Sequence, residues 1–157
     1  MTKNDILRRI RYIFNISDDN MIKIFGLANL NVNRAQISDW LKKDEDSTFV
    51  QIEDIELASF LNGFINMKRG KREGEQPKPE NRLNNNIIMN KLKIALSLQS
   101  DEVLALINNS EFNMSSHELS AFFRKKGHRH YRECQNQVLR YFLTGLQDKH
   151  RGSETEI

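Results

Sequence analysis

Several features that would assign a function class are scarce in this chain or missing from it. Cys134 is the only cysteine among 157 residues, so an internal disulfide is excluded, which suits a reducing compartment. The N-terminus has no apolar region of the kind found in signal peptides. No apolar run approaches the roughly 18 residues that a membrane helix needs. We therefore expect a cytosolic protein without a membrane partner.

Motifs for catalysis and for cofactor binding are also missing from the sequence. The seven glycines are scattered, and none forms the spacing that cradles phosphates. The histidines and Cys134 match no standard zinc pattern, and the first half of the chain has no equivalent ligands. We expect that the protein is not an enzyme and binds no cofactor and no metal, and we assign no catalytic residue.

What the chain does contain is two copies of one domain. Residues 4–70 align with residues 86–152 without a gap, at an offset of 82 positions, and apolar residues pair with apolar residues almost throughout. Conservative pairs such as Ile37 with Leu119 and Trp40 with Phe122 recur at helical spacing. The identical pairs include Asn4 with Asn86, Ile6 with Ile88, Asp19 with Asp101, Lys43 with Lys125, Leu57 with Leu139, Phe60 with Phe142 and Gly63 with Gly145.

Each copy is predicted to form four helices and no strand. Apolar residues at three-to-four spacing indicate the first helix, and helix two is expected to begin at Ser17 in copy one and at Ser100 in copy two. Helix three opens with the spacing of a capping box, between Asn33 and Gln36 and between Ser115 and Glu118. Helix four carries the central apolar stripe, which we expect to contain Ile52, Leu57, Phe60, Leu61 and Phe64 in copy one and Cys134, Leu139, Phe142, Leu143 and Leu146 in copy two.

Helix four also contains a glycine in each copy, Gly63 and Gly145. Glycine inside a helix costs about 1 kcal/mol relative to alanine, so a cost present in both copies suggests a use. We predict that the two glycines allow close helix approach, either within each unit or between the units across a pseudo-two-fold axis.

The domain boundaries follow from composition. Residues 70–84 contain both prolines and almost no apolar side chain, which is typical of a linker. We predict a helical repeat unit at 1–69, a polar linker at 70–84, a second repeat unit at 85–148 and a flexible tail at 149–157. Because units of about 60 residues are marginally stable alone, we expect the copies to pack against each other or against another chain. The predicted fold class is all-α, with two homologous four-helix units, each helix-turn-helix-like, in a pseudo-symmetric tandem repeat.

Several runs in the sequence also resemble the bacterial YehS-like proteins. The resemblance covers essentially the whole chain, including the linker, and its runs are specific in combination. It implies a duplicated domain of unknown function and supplies no catalytic residues. The runs are Asn4-Asp5-Ile6-Leu7-Arg8, Trp40-Leu41-Lys42-Lys43, Ser59-Phe60-Leu61-Asn62-Gly63, Asn84-Asn85-Asn86-Ile87, and the stretch from Arg132-Glu133-Cys134 through Leu139-Arg140 and Phe142-Leu143 to Gly145-Leu146.

Charge distinguishes the two copies most strongly in one equivalent segment. Residues 42–50 include Asp44, Glu45 and Asp46, whereas residues 124–132 contain five Lys or Arg, two His and one Tyr, with no acid. Such a cluster can bind phosphates, and its aromatic ring or an arginine plane is available to stack on a base. The candidate nucleic-acid-binding residues are Arg124, Lys125, Lys126, Arg129, Tyr131 and Arg132, with a second basic group at Lys68, Arg69, Lys71 and Arg72.

Two other interpretations of the basic segment stay open. A charged run is commonly solvated surface with no partner. The basic segment can also pair with the acidic segment of a neighbouring copy or chain, because complementary charges steer an interface.

In both copies, helices two and three show the sequence pattern of a helix-turn-helix, which is an apolar helix, a short polar turn and a second, capped helix. The start of helix three offers Arg34 and Gln36 in copy one, and only His117 and Glu118 in copy two. This set favours contact with the nucleic-acid backbone over base recognition. The leading hypothesis is a cytosolic regulatory binding module that engages nucleic acid. The alternative is a protein–protein interaction adaptor.

Overall fold

The computed structural model describes residues 1–109 and 111–155, with the side chains of the last helix described through residue 152. Within this part of the chain there are eight helices and no strand, so the all-α prediction is confirmed. The helices are α1 (Lys3–Ile13), α2 (Asp18–Leu27), α3 (Arg34–Leu41), α4 (Asp54–Arg69), α5 (Asn85–Ala95), α6 (Ser100–Ile107), α7 (Ser116–Phe122) and α8 (Asn136–Thr155).

The chain divides into two compact units, Met1–Leu83 and Asn84–Ile157, each with four helices. Leu83, near the end of the predicted linker, is buried, and its backbone N–H donates to Asp54 Oδ2 at 2.8 Å. The next residue, Asn84, is already the N-cap of α5, since its Oδ1 accepts from the Ile87 N–H at 2.9 Å. The last residues of the linker therefore belong to the units on either side.

Local capping sets most helix starts. Ser17 caps α2, and both predicted capping boxes are formed at the start of α3 and of α7. The prediction for α6 was wrong by one residue: Ser100 is the first helical residue and Gln99 is the N-cap. The reason is that Glu102 Oε1 accepts from the Gln99 N–H at 2.8 Å. This bond places the N-cap at Gln99, one residue before the predicted cap.

Helix four begins later than expected in both units, after the first residue of its predicted apolar stripe. Ile52 and Cys134 are buried, but they precede α4 and α8, which begin at Asp54 and Asn136. Their backbone N–H groups donate to the side chains of buried asparagines on α1 and α5, at 3.1 and 2.8 Å. These long-range bonds hold each residue in a connecting segment against the first helix of its unit.

Gly63 and Gly145 allow close helix approach within each unit, as one of the two predicted uses required. A Cβ at Gly63 would overlap the carbonyl group of Ile24 on α2, with 2.7 Å to its carbon. A Cβ at Gly145 would overlap the carbonyl group of Leu106 on α6, with 2.8 Å to its carbon. Helix four therefore packs directly on the backbone of helix two in both repeats.

Aromatic rings fill the core of the first unit around this crossing. The Phe25 ring lies 5.2 Å from that of Phe60 and 5.3 Å from that of Trp40, between ring centroids. Trp40 is 3% exposed and its counterpart Phe122 is 8% exposed, so both belong to the core, as predicted.

Helix α8 continues past Asp148 to Thr155, so residues 149–155 extend this helix where the sequence predicted a flexible tail. Helix propagation adds one hydrogen bond per residue and needs no apolar stripe, and Lys149 and Arg151 have good helix propensity. Residues 156 and 157 of the predicted tail lie outside the described residues.

Candidate functional site

The two segments of opposite charge have the same hydrogen-bonded backbone. We name residues 42–50 the acidic loop and residues 124–132 the basic loop. In the acidic loop the N–H groups of Asp46, Phe49 and Val50 donate to the carbonyls of Lys43, Asp46 and Asp39. In the basic loop the equivalent N–H groups of His128, Tyr131 and Arg132 donate to the equivalent carbonyls, those of Lys125, His128 and Ala121.

A side chain closes the same turn in each loop. Asp46 Oδ1 accepts from the Thr48 N–H at 2.9 Å, and His128 Nδ1 accepts from the His130 N–H at 3.0 Å. Hydrogen bonding from Thr48, its backbone N–H first, lowers the pKa of Asp46, so the acidic loop keeps this charge well below neutral pH. Histidine at this position preserves the turn and removes the negative charge.

A buried asparagine on the first helix of each unit holds both ends of its loop. Asn86 Nδ2 donates to the carbonyls of Phe122 at 3.1 Å and Arg132 at 2.8 Å, and Asn86 Oδ1 accepts from the Cys134 N–H. Sequence reasoning noted Asn4 and Asn86 only as an identical pair. The available signal was an identical amide next to the apolar stripe of helix one, at a position where the structure buries it.

Two charged side chains of the acidic loop form ion pairs within its own unit. Lys42 Nζ lies 2.7 Å from Asp39 Oδ1, and Arg8 Nη2 lies 3.0 Å from Asp44 Oδ1. Arg8 also donates from Nε to the carbonyl of Leu41 and lies 5.8 Å from the centroid of the Phe49 ring. This loop is consequently tied to α1 by an arginine that α5 lacks, since Asn90 stands at the equivalent position.

The charges of the basic loop have no such partners. Every residue from Arg124 to His130 is exposed, and Arg132 is exposed as well. In the described part of the chain no acidic side chain pairs with any of the five cations. Arg129 Nε donates to His130 Nε2 at 3.2 Å, and Arg132 Nη1 donates to the carbonyl of Tyr131 at 2.8 Å. The loop therefore presents a concentrated positive charge to solvent.

Tyr131 lies at the base of this loop. It is half-buried, its N–H donates within the turn, and its hydroxyl accepts from Asn84 Nδ2 at 3.2 Å. The ring thus connects the basic loop to the start of α5. This arrangement differs from the expectation that the ring is free to stack on a base.

The second basic group lies at the end of α4 in the first unit. Lys68, Arg69, Lys71 and Arg72 are exposed, and Gly70 with φ +83° ends the helix between them. Lys68 Nζ lies 5.6 Å from the centroid of Phe64 and 5.7 Å from that of Phe14, so its ammonium group covers aromatic rings. One of the four charges of this group, that of Lys68, therefore already interacts with aromatic rings of its own unit.

Three of the four polar side chains named at the start of helix three are engaged, and the fourth, His117, is exposed next to Glu118. Arg34 pairs with Asp18 and Asp19, and Gln36 Oε1 accepts from the Asn33 N–H at 2.8 Å. In the second unit, hydrogen bonding from Ser115, its backbone N–H first, lowers the pKa of Glu118 and keeps this residue negatively charged. Neither helix presents a free set of side chains for reading bases.

Cys134 and the histidines form no metal site with acidic residues in the described part of the chain, where no group of three or more His, Cys, Asp or Glu lies close enough to hold an ion. Burial raises the pKa of the Cys134 thiol to about 12, against a smaller opposing effect of the Leu139 backbone. The thiol is therefore a core group, as its apolar match with Ile52 predicted.

Comparisons with known proteins identify the family. A family described as "Protein of unknown function (DUF1456)" matches residues 3–70 and again residues 85–152. "Uncharacterized protein YehS" of Escherichia coli (strain K12) is 44% identical over 147 residues, which are 93% of this chain and 94% of that protein. No solved structure matches the chain. Among the described residues, no helix has the length and apolar character to cross a membrane.

The two family matches begin and end at equivalent positions, so the predicted tandem repeat is confirmed. The match to the Escherichia coli protein confirms the YehS-like resemblance. The chain thus belongs to the DUF1456 family and carries the domain of that family twice.

Proposed function

We propose that this protein is a non-enzymatic cytosolic binding module, with a regulatory role, whose basic loop engages the phosphate backbone of nucleic acid. One observation carries the proposal. The two repeats build the same hydrogen-bonded loop, yet in the acidic loop Lys42 and Asp44 form ion pairs within their own unit, whereas the basic loop leaves five cations exposed and without acidic partners.

The chemistry of phosphate binding fits these cations. Guanidinium and ammonium groups form strong charge-assisted hydrogen bonds with phosphate oxygens, and each neutralised phosphate releases a condensed counterion. The backbone bonds of the basic loop and the two bonds from Asn86 fix the loop before any ligand arrives. A prearranged loop loses less conformational entropy on binding, so more of the electrostatic gain contributes to affinity.

The second basic group has a supporting role in this proposal. Lys71 and Arg72 are exposed and follow the helix end at Gly70, where they can add phosphate contacts. We expect the residues from Lys68 to Arg72 to strengthen binding and the basic loop to be required for it.

A charge-reversal pair tests the proposal. Lys125→Glu with Lys126→Glu changes two exposed side chains that make no hydrogen bond or ion pair in the described structure. Binding of a fluorescently labelled 20-mer nucleic acid, followed by anisotropy at 50 mM salt, should weaken at least tenfold. Circular dichroism should show an unchanged helix content, because neither side chain contributes to the core.

The matched control reverses the same number of charges elsewhere in the second unit. Arg140→Glu with Lys149→Glu changes two exposed positions on α8 and produces the same net charge. Affinity should then fall by less than threefold, since only long-range attraction is lost. Equal losses in the two variants, or no binding by the unchanged protein at micromolar concentration, would contradict the proposal.

A protein partner is the second candidate, because carboxylates can pair with the same five exposed cations. A labelled polyglutamate peptide distinguishes the two ligands in the same assay. Tighter binding of the peptide than of an oligonucleotide with equal charge would favour the adaptor function. Weaker binding of the peptide would favour nucleic acid.

A further inference from the structure

We infer that the ligand of the basic loop is double-stranded nucleic acid, held through its phosphates without reading of its bases. The inference rests on the proposed function and specifies its ligand. Three observations support it: the placement of the aromatic rings, the compactness of the cation cluster, and the charge at the start of α7.

Binding of single strands relies on aromatic faces on which successive bases stack. The only phenol or phenyl ring in the basic loop is that of Tyr131, which is half-buried and bonded through its hydroxyl to Asn84. The imidazoles of His128 and His130 lie against each other, with 5.4 Å between their centroids. The phenol ring is therefore anchored at the base of the loop, and the exposed surface of the loop consists mainly of cations.

The cation cluster is compact and its frame is fixed. Residues 124–130 are all exposed, while backbone bonds from His128, Tyr131 and Arg132 close the turns beneath them. A duplex presents a dense and regular array of phosphates, about one charge per 1.7 Å of its axis. A fixed cluster gains more from such an array than from a flexible strand with lower charge density.

The start of α7 argues against base reading by the helix-turn-helix. In DNA-binding proteins of that class the second helix enters the major groove with its N-terminal residues at the base edges. Here Glu118, kept negatively charged by its bonds to Ser115, lies in the first turn of α7. A carboxylate at that place repels the phosphates on both sides of the groove, so the loop after α7 is the contact surface.

The test compares four labelled 20-mers of identical sequence: duplex DNA, duplex RNA and the single strands of each. Anisotropy titrations between 50 and 200 mM salt should give duplexes at least tenfold tighter binding than single strands. The slope of log K against log salt should be no steeper than about −8 for duplex DNA, because the five loop cations and the four of the second basic group contribute at most about −0.9 each. Whether DNA or RNA duplexes bind more tightly identifies the source of the phosphates.

Tyr131→Leu gives an independent measurement, with a thermal melt as the check that the second unit stays folded. The ratio of duplex to single-strand affinity should change less than threefold, since no base stacks on the ring, whereas loss of the ring's bond to Asn84 affects both ligands alike. Single strands that bind as tightly as duplexes, or a tenfold change of this ratio with a folded Tyr131→Leu protein, would overturn this inference and leave the proposed function standing. Absence of binding to all four ligands would overturn the proposed function itself.

Discussion

Asn4 and Asn86 lie at the same position of the two repeats and make the same three hydrogen bonds. Asn4 Nδ2 donates to the carbonyls of Trp40 at 2.9 Å and Val50 at 3.0 Å, and Asn4 Oδ1 accepts from the Ile52 N–H at 3.1 Å. Asn86 makes the equivalent bonds in the second unit. Each amide therefore joins helix one to both ends of its loop, whatever the charge of that loop.

Asn86→Asp should weaken nucleic-acid binding more than Asn4→Asp. The change places a carboxylate oxygen against two carbonyl oxygens at a buried site, which should cost about 3 kcal/mol of unfolding free energy in either unit. Only Asn86 holds the basic loop, so anisotropy should show at least a fivefold affinity loss for Asn86→Asp alone. Thermal melts of both variants measure the stability loss, and a folded Asn86→Asp protein with unchanged affinity would contradict this role.

Alanine at three glycines should have opposite effects on stability. Gly63→Ala and Gly145→Ala place a Cβ into a neighbouring backbone carbonyl, which should lower the unfolding free energy by about 3 kcal/mol. Gly26→Ala meets no atom within 4 Å and should raise it by about 0.7 kcal/mol, because alanine is the better helix former. Urea denaturation of the three variants measures both signs, and a neutral Gly145→Ala would disprove the close approach.

Replacement of two acidic residues of the acidic loop by lysines should create a second binding site for duplex nucleic acid. Asp44→Lys with Glu45→Lys adds positive charge to a loop whose backbone bonds match those of the basic loop. The lost ion pair with Arg8 is exposed and should cost less than about 1 kcal/mol. Titration under tight-binding conditions should then give two duplexes bound per chain instead of one. The control variant Asp44→Asn with Glu45→Gln removes the negative charges without adding positive ones. It should still bind one duplex per chain.

Cys134 should resist thiol reagents in the folded protein. The thiolate is the reactive form, and burial raises the pKa of this thiol to about 12, so almost none is ionised at pH 8. A chromogenic disulfide reagent should label it at least a hundredfold faster in 6 M urea than in buffer. Raising the pH from 7 to 9 should raise the native rate about a hundredfold, because the thiolate fraction grows about tenfold per pH unit below the pKa. Fast labelling at pH 8 without urea would show that the thiol is accessible.

The sequence alone determined the repeat, the helical class and most helix starts. These depend on interactions between residues three or four apart, such as the capping boxes of Asn33 with Gln36 and of Ser115 with Glu118. The spacing in the sequence is sufficient to identify such pairs. The shift of the α6 start to Ser100 shows the limit of this reasoning, because two competing caps lie one residue apart. The basic segment was also visible, since charge composition needs no fold.

Only the tertiary structure decided which charges are free and what holds the loops. The bonds of Asn86 reach residues 36 and 46 positions away, and the pairing of Arg8 with Asp44 joins α1 to a loop that follows α3. The same holds for Gly145, whose use depends on the Leu106 carbonyl of another helix. Contacts between residues so distant in the chain depend on how the helices pack, and no local spacing specifies them.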